Sequence, residues 1–420
     1  MKSKTARVGA LILTAATAAA LLTGCSSGAG GSSGGTIQVE TGFASGSDLL
    51  ATFTKVTNAY EKSHPGVKFN LIPSSTNYEQ DLKVKLASHD VPDMWWTHGW
   101  SRDRYSKFLE PLQDQSWNKD VNPQLDAAMR TSSGAIYALP LDTDVAGILY
   151  NKSVLTKAGV DPESLTSWSA FDAAAAKIKA TGVTPIEVSG KANGPAGNLI
   201  DWIAPGKYTD AQLASLKAGT FAGSVYKPIV DQVESWRAAG YINPDYSSAT
   251  QQDMSKALGA GQAAFIFQQN SVAADALTTS PDAQLGFLPV PSDTGKPYLI
   301  GGEMNAFGIS KTSSHLTELK AFLKYLAQPA NDSALAKAAG SAAGLTTSTS
   351  DLGALQTSYD QFVVKDKTRL VPYFDRVYLP NGMWNTLVTT TDSVITGQAQ
   401  PAEAVNQVGT DFKSLYGQNK

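Results

Sequence analysis

Two carboxylates, Asp142 and Asp144, stand just ahead of the apolar run Val145 to Tyr150. In an extended segment alternate side chains share a face, so the pair would point one way. Neighbouring carboxylates accept hydrogen bonds from adjacent hydroxyls. Such a pair also suits glycoside hydrolysis, which needs the two groups roughly 5–10 Å apart and one of them kept protonated. The plainer alternative is capping, or solvation in a loop. A second stretch, Trp95-Trp96-Thr97-His98-Gly99-Trp100, is the richest aromatic loop. A sugar presents a C–H face that matches an aromatic plane and a rim of hydroxyls that suits polar groups. Trp95 or Trp96 belongs to the core, because alternate strand residues point inward. Trp100, past Gly99, is the candidate stacking ring, and His98 is a candidate contact or a surface histidine. The histidines His64, His89, His98 and His315 show no metal-ligand spacing, and there is no His-Glu-x-x-His or Cys/His cluster. No metal and no cofactor is expected.

The elements that must position these groups alternate. Thr36 to Glu40 reads as a strand, Asp48 caps a helix over Leu49 to Lys62, and Val67 to Ile72 is a second strand. A helix over Tyr78 to Ser88 and a strand over Met94 to Trp96 follow, which argues an α/β sheet of parallel strands. Val145 to Tyr150 reads as one buried strand, and Ser167 or Ser169 caps a helix running to Ala180. Gln262 to Phe267 and Asn305 to Ser310 are further strands, and helices over Trp384 to Thr396 and Ala402 to Tyr416 finish the chain. In open α/β sheets ligands sit beyond the carboxyl ends of the strands. That rule selects the loops at 41–47, 74–78, 97–100, 190–194 and 268–271, with Ser45, Asn77, Lys191 and Asn270 as polar candidates.

The chain has 420 residues, 42% hydrophobic and 17% charged, enough for two domains with substantial cores. Its net charge is −3 and it carries no basic run beyond the extreme N-terminus, which excludes nucleic acid as a partner. Lys2, Lys4 and Arg7 followed by the apolar run Val8 to Leu22 form a targeting segment. Ser26 to Gly35 is a Gly/Ser tether, spanning roughly 15–20 Å. No other stretch reaches transmembrane length. Cys25 is the single cysteine, so no intrachain disulfide can form.

Leu22-Thr23-Gly24-Cys25 resembles the bacterial lipobox. The resemblance implies cleavage after residue 24, lipidation of Cys25, and an extracytoplasmic protein held at the cell membrane by that anchor only. Ile148-Leu149-Tyr150-Asn151-Lys152, Lys157-Ala158-Gly159 and Ser167-Trp168-Ser169-Ala170-Phe171 resemble the signature of bacterial extracellular solute-binding proteins of the maltose-binding type. Leu86-Ala87-Ser88-His89-Asp90-Val91-Pro92-Asp93, Gly261-Gln262-Ala263-Ala264-Phe265 and Ala321-Phe322-Leu323-Lys324-Tyr325-Leu326 are similar to further landmarks of that family, in the same order.

The resemblance implies an α/β, two-lobed periplasmic-binding-protein-like fold of type II, each lobe a central sheet flanked by helices, joined by hinge crossovers. The signal would span 1–24 and the tether 25–35, with an N-terminal lobe of 36–142 and 303–345 and a C-terminal lobe of 143–302 and 346–420. It implies a monomeric receptor, not an enzyme, that captures a carbohydrate, in particular an oligosaccharide, and delivers it to the transmembrane subunits of an ABC permease. Asp144 falls where sugar hydroxyls are touched, Glu303 at the second crossing and Trp384 where a stacking ring opens a helix; Arg376 is a weaker candidate. Within the first crossing, Asp142 and Thr143 should flex, Asp144 should reach the ligand, and Val145 to Lys152 should anchor the second lobe. Two departures stand out. His89 occupies a position where Gly is usual, and Gln268-Gln269-Asn270-Ser271 replaces a Gly-x-Trp, removing one expected aromatic. The competing readings are a secreted glycoside-active enzyme, a polymer-binding adhesin and a receptor for a non-sugar solute.

Overall fold

The computed structural model describes residues 35–75, 77–97, 101–192, 194–293 and 295–418. Cys25, His98 and Trp100 lie outside the described residues, as do the targeting segment and nearly all of the tether. In chain order the strands are β1 (Ile37–Glu40), β2 (Phe69–Ile72), β3 (Met94–Thr97) and β4 (Leu139–Pro140). Then come β5 (Asp142–Ala146), β6 (Ile148–Asn151), β7 (Thr184–Ile186), β8 (Ala263–Ile266) and β9 (Leu285–Leu288). The last four are β10 (Leu299–Gly302), β11 (Ala306–Ile309), β12 (Ala342–Ala343) and β13 (Leu370–Pro372).

Three sheets result, ordered β2-β1-β3-β11-β4, β12-β5-β10-β13 and β7-β8-β6-β9. The first and third are the centres of two lobes. The second lies where the chain passes between them, through β5, β10 and β12. The first sheet is mixed rather than wholly parallel. β1 pairs parallel with β2 and β3, but the returning β11 runs antiparallel to β3 and β4. A strand arriving from the other lobe enters from the opposite end, so a crossover helix cannot set its direction.

Each lobe closes over its own apolar cluster. In the first, Phe53 of the helix Asp48–Ser63 stacks on Phe307 of β11 with ring centroids 4.9 Å apart. Ser47, not Asp48, caps that helix: its Oγ accepts the Leu50 N–H at 3.2 Å. In the second lobe Trp168, Phe171, Trp236 and Phe267 pack edge-on and tilted under the sheet. Ser167 Oγ caps the helix Trp168–Ala180 by accepting the Ala170 N–H. His89 takes φ +63°, the left-handed region where Gly is the easy residue.

The run Val145 to Tyr150 is not one strand. Gly147 breaks it, and β5 and β6 belong to different sheets. A Cβ at Gly147 would lie 2.1 Å from the Leu288 carbonyl oxygen, so the crossing needs glycine there. Trp202 Nε1 donates to the Gly147 carbonyl at 2.8 Å and fixes the break.

Candidate functional site

The site begins with the register of the crossing sheet. β5 and β10 run antiparallel with Gly302 opposite Asp144, while Ala342 and Ala343 of β12 face Thr143 and Asp142. Asp142, Thr143 and Asp144 are therefore buried in a central strand, not a flexing loop. Asp142 Oδ1 accepts the N–H groups of Met304 at 3.0 Å and Asn305 at 2.9 Å, and Oδ2 accepts the Asn305 side-chain amide. Asn305 Oδ1 in turn accepts from Trp96 Nε1 at 2.9 Å. Asp142 thus ties both crossings together and, through Asn305, sets the Trp96 ring. Its carboxylate is engaged in three internal hydrogen bonds. Burial pushes its carboxyl up to about 6, against the pull of the Asn305 and Met304 hydrogen bonds.

Asp144 and Glu303 are both 0% exposed. Tyr373 Oη donates to Asp144 Oδ2 at 2.5 Å, whereas Asp144 Oδ1 and both Glu303 oxygens have no hydrogen-bond partner. Burial raises each to about 7, and Arg376 opposes the rise in both. Arg376 donates to the Glu303 carbonyl at 2.9 Å and lies 3.9 Å above the Tyr373 ring centroid. Asp144 is thus linked to the groove-lining Tyr373 through its carboxyl, and Glu303 to the groove-lining Arg376 only through its main-chain carbonyl. Gly301 and Gly302 permit this packing: a Cβ on either would come within 2.5 or 2.8 Å of Leu370 or Tyr373.

Above this floor lie three cavities that share walls. One of about 390 Å³ is bounded by Gly42, Ser74, Asn77, Tyr78 and Trp96. The next, about 570 Å³, shares Glu79 and Gln80 with it and draws its other wall from Asn198, Asp201, Tyr373, Arg376 and Trp384. The third, about 560 Å³, shares Arg104, Arg376 and Asn381 with the second and adds Arg102, Lys107 and Lys217. Both lobes contribute to the second and third. Such a groove offers aromatic planes, amides and charged groups in series, which is the chemistry of a hydroxyl-rich ligand.

The predicted residues divide accordingly. Asn77, Arg376 and Trp384 line the groove. Trp384 opens the helix Met383–Ile395 and packs on Gly197, where a Cβ would stand 3.0 Å from its ring. Asn270 is buried with neither side-chain polar atom partnered, and its neighbour Gln269 is the residue that reaches the cavity. Ser45 is exposed on a turn, and Lys191 is exposed in a loop whose backbone is held to Ala249; neither borders the three cavities. Period-2 reasoning left Trp95 and Trp96 undivided. Trp95 is the core residue, packed edge-on against Tyr105, while Trp96 is half-buried over Gly42. A Cβ at Gly42, which has φ +68°, would meet the Trp96 ring at 2.3 Å. Asp201, Tyr373 and Asp375 complete the second cavity. Among the described residues no group of three His, Cys, Asp or Glu could hold a metal ion, and no helix is long and apolar enough to cross a membrane.

Two α/β lobes, three crossings and a groove walled by both define a bilobal ligand receptor. Residues 44–333 match the model of the bacterial extracellular solute-binding proteins, and the chain belongs to that family. It is 28% identical to the melibiose/raffinose/stachyose-binding protein MelE of Bacillus subtilis (strain 168), over 88% of this chain and 87% of that one. A solved binding protein of Bacillus subtilis subsp. subtilis strain 168, in an open conformation, matches with a TM-score of 0.83 and 27% identity, over 91% of this chain and 98% of that one. A sugar transporter structure from Bacillus licheniformis, in complex with stachyose, matches with a TM-score of 0.78 and 28% identity, over 90% and 100%.

Proposed function

We propose that this chain is the lipid-anchored receptor of an ABC importer and that it captures an oligosaccharide in the groove between its lobes. The observation that carries the reading is the groove itself: Trp96 and Trp384 stand along adjoining cavities of about 390 and 570 Å³, interleaved with amides and charged groups. Rings so placed accept the C–H faces of successive sugar units. The relatives support the ligand class, since one is named for melibiose, raffinose and stachyose and another holds stachyose. The two lobes, 36–142 with 303–345 and 143–302 with 346–420, close by bending at the three crossings. Hinge closure around a ligand is a recurrent mode, periplasmic binding proteins being its standing example. Closure expels water and strengthens the hydrogen bonds inside. Burial of Asp144 and Glu303 and the engagement of Asp142 favour binding over hydrolysis, because none of the three presents a free carboxyl to a glycosidic bond.

Titration calorimetry against melibiose, raffinose, stachyose and maltotriose tests the reading. Micromolar affinity for at least one corresponds to about −8 kcal/mol. The expected result is saturable heat with the sugar recovered intact by chromatography. No heat with any of them, or release of shorter sugars, would contradict it. For the anchor, Cys25→Ala should release the protein from the membrane fraction, and for the monomer, light scattering should give a single-chain mass with and without ligand.

A further inference from the structure

Asp201 lies on the helix Pro195–Ile203 and Asp375 on the short helix Phe374–Tyr378, and both border the 570 Å³ cavity. Asp201 is 1% exposed. Its Oδ1 accepts the Asp375 N–H at 2.9 Å, which holds the two residues side by side on the cavity wall. Two carboxylates so placed out of water repel when both are ionised, and a proton shared between them removes the repulsion. We propose that Asp201 carries this proton and donates it to Asp375, holding the Asp375 carboxylate as the acceptor for a ligand hydroxyl on the cavity wall.

The surroundings favour that division. Burial and the neighbouring Asp375 drive the Asp201 carboxyl well above its ordinary value. Asp375 is half-buried where Asp201 is 1% exposed, and the Arg376 guanidinium opposes the rise that burial gives Asp375, so the charge is placed on Asp375. Arg376 and the phenols of Tyr373 and Tyr226 also face Asp201, and burial keeps both phenols neutral. Across the cavity stand Glu79, Lys83 and Arg104. A carboxylate that receives one hydrogen bond from a neutral acid retains lone pairs for a hydroxyl donor. Asp375 is then a ligand contact and Asp201 its positioning residue.

The inference rests on the oligosaccharide reading, and its test separates the two. Raffinose and stachyose affinities of the wild type, D201N, D201A and D375N are measured by calorimetry between about pH 6 and about pH 10. The protonated-carboxyl stretch is followed in parallel by infrared difference spectroscopy without ligand. In the wild type, affinity should fall as pH rises and the shared proton leaves. D201N keeps a donor, though a weaker one, so affinity should drop about threefold and the fall specific to the wild type should vanish. D201A and D375N should each lose roughly tenfold or more at every pH. Near neutrality the wild type should show a protonated-carboxyl component that D201N lacks, over the background from Asp144 and Glu303 that both proteins share. No such difference, or an alkaline fall retained in D201N, overturns the shared proton whatever sugar binds. A band with neither sugar binding refutes the oligosaccharide reading and the recognition role with it, and leaves the proton itself demonstrated.

Discussion

Glu303→Gln isolates the cost of burying a carboxylate at the second crossing. Glu303 is 0% exposed and neither of its oxygens has a partner. Raising its carboxyl from 4.5 to about 7 costs about 3 kcal/mol once the group ionises, at about 1.4 kcal/mol per pH unit. The sign follows from proton counting. The unfolded chain loses this proton near its ordinary value, the native protein only near the raised one. Between the two the native state binds more protons, so stability falls as pH rises and levels off above the folded value. Glutamine keeps the shape and removes the charge. E303Q should therefore match the wild type near about pH 3 and exceed it by about 3 kcal/mol near about pH 8. Spread over the roughly 390 residues from Gly34 to Lys420, at about 2.1 cal/mol/K per residue, that is about 4 °C in Tm. Thermal melts across that range read the difference directly. If E303Q melts below the wild type at the alkaline end, Glu303 is a stabilising anion neutralised by Arg376, and the reasoning from burial fails.

Trp96→Ala and Trp384→Ala should each weaken raffinose or stachyose binding three- to tenfold, the value of about 0.5–1.5 kcal/mol per aromatic contact, and should also lower Tm, because both rings pack against a lobe core; calorimetry below the melting range separates the two effects. Asp142→Ala strips acceptors from Met304, Asn305 and the Asn305 side chain, and should cost about 2–4 kcal/mol in urea unfolding. It should also weaken sugar binding, because Asn305 no longer fixes Trp96. His89→Gly relieves a left-handed residue at φ +63° and should stabilise by about 1 kcal/mol, seen as a raised urea midpoint with unchanged slope.

Individual helices and strands were legible because apolar periodicity is a local signal, whereas the two lobes came from the family resemblance. The helix Asp48–Ser63 and strand β3 lie within a residue or two of their sequence reading. The break at Gly147 was not legible, since what demands glycine is the Leu288 carbonyl on a distant strand. The same reason hid the use of Asp142, whose partners lie 162 and 163 residues away. Asp201 and Asp375, separated by 174 residues, gave no pattern at all. β12 and β13 are two and three residues long, too short for a period to register. Trp96 was the near miss. Alternation predicted one buried and one outward Trp, and Gly42 in the loop at 41–47 was the signal of a ring lying close to backbone.

Small-angle scattering of the soluble protein, with and without saturating raffinose or stachyose, tests the central claim most directly. Lobes that close on an oligosaccharide must give a smaller radius of gyration in the complex, with the shift lost in a Trp96→Ala, Trp384→Ala double variant at the same sugar concentration. Saturable binding with an unchanged radius of gyration would contradict closure at the crossings, and absence of binding would contradict the oligosaccharide groove.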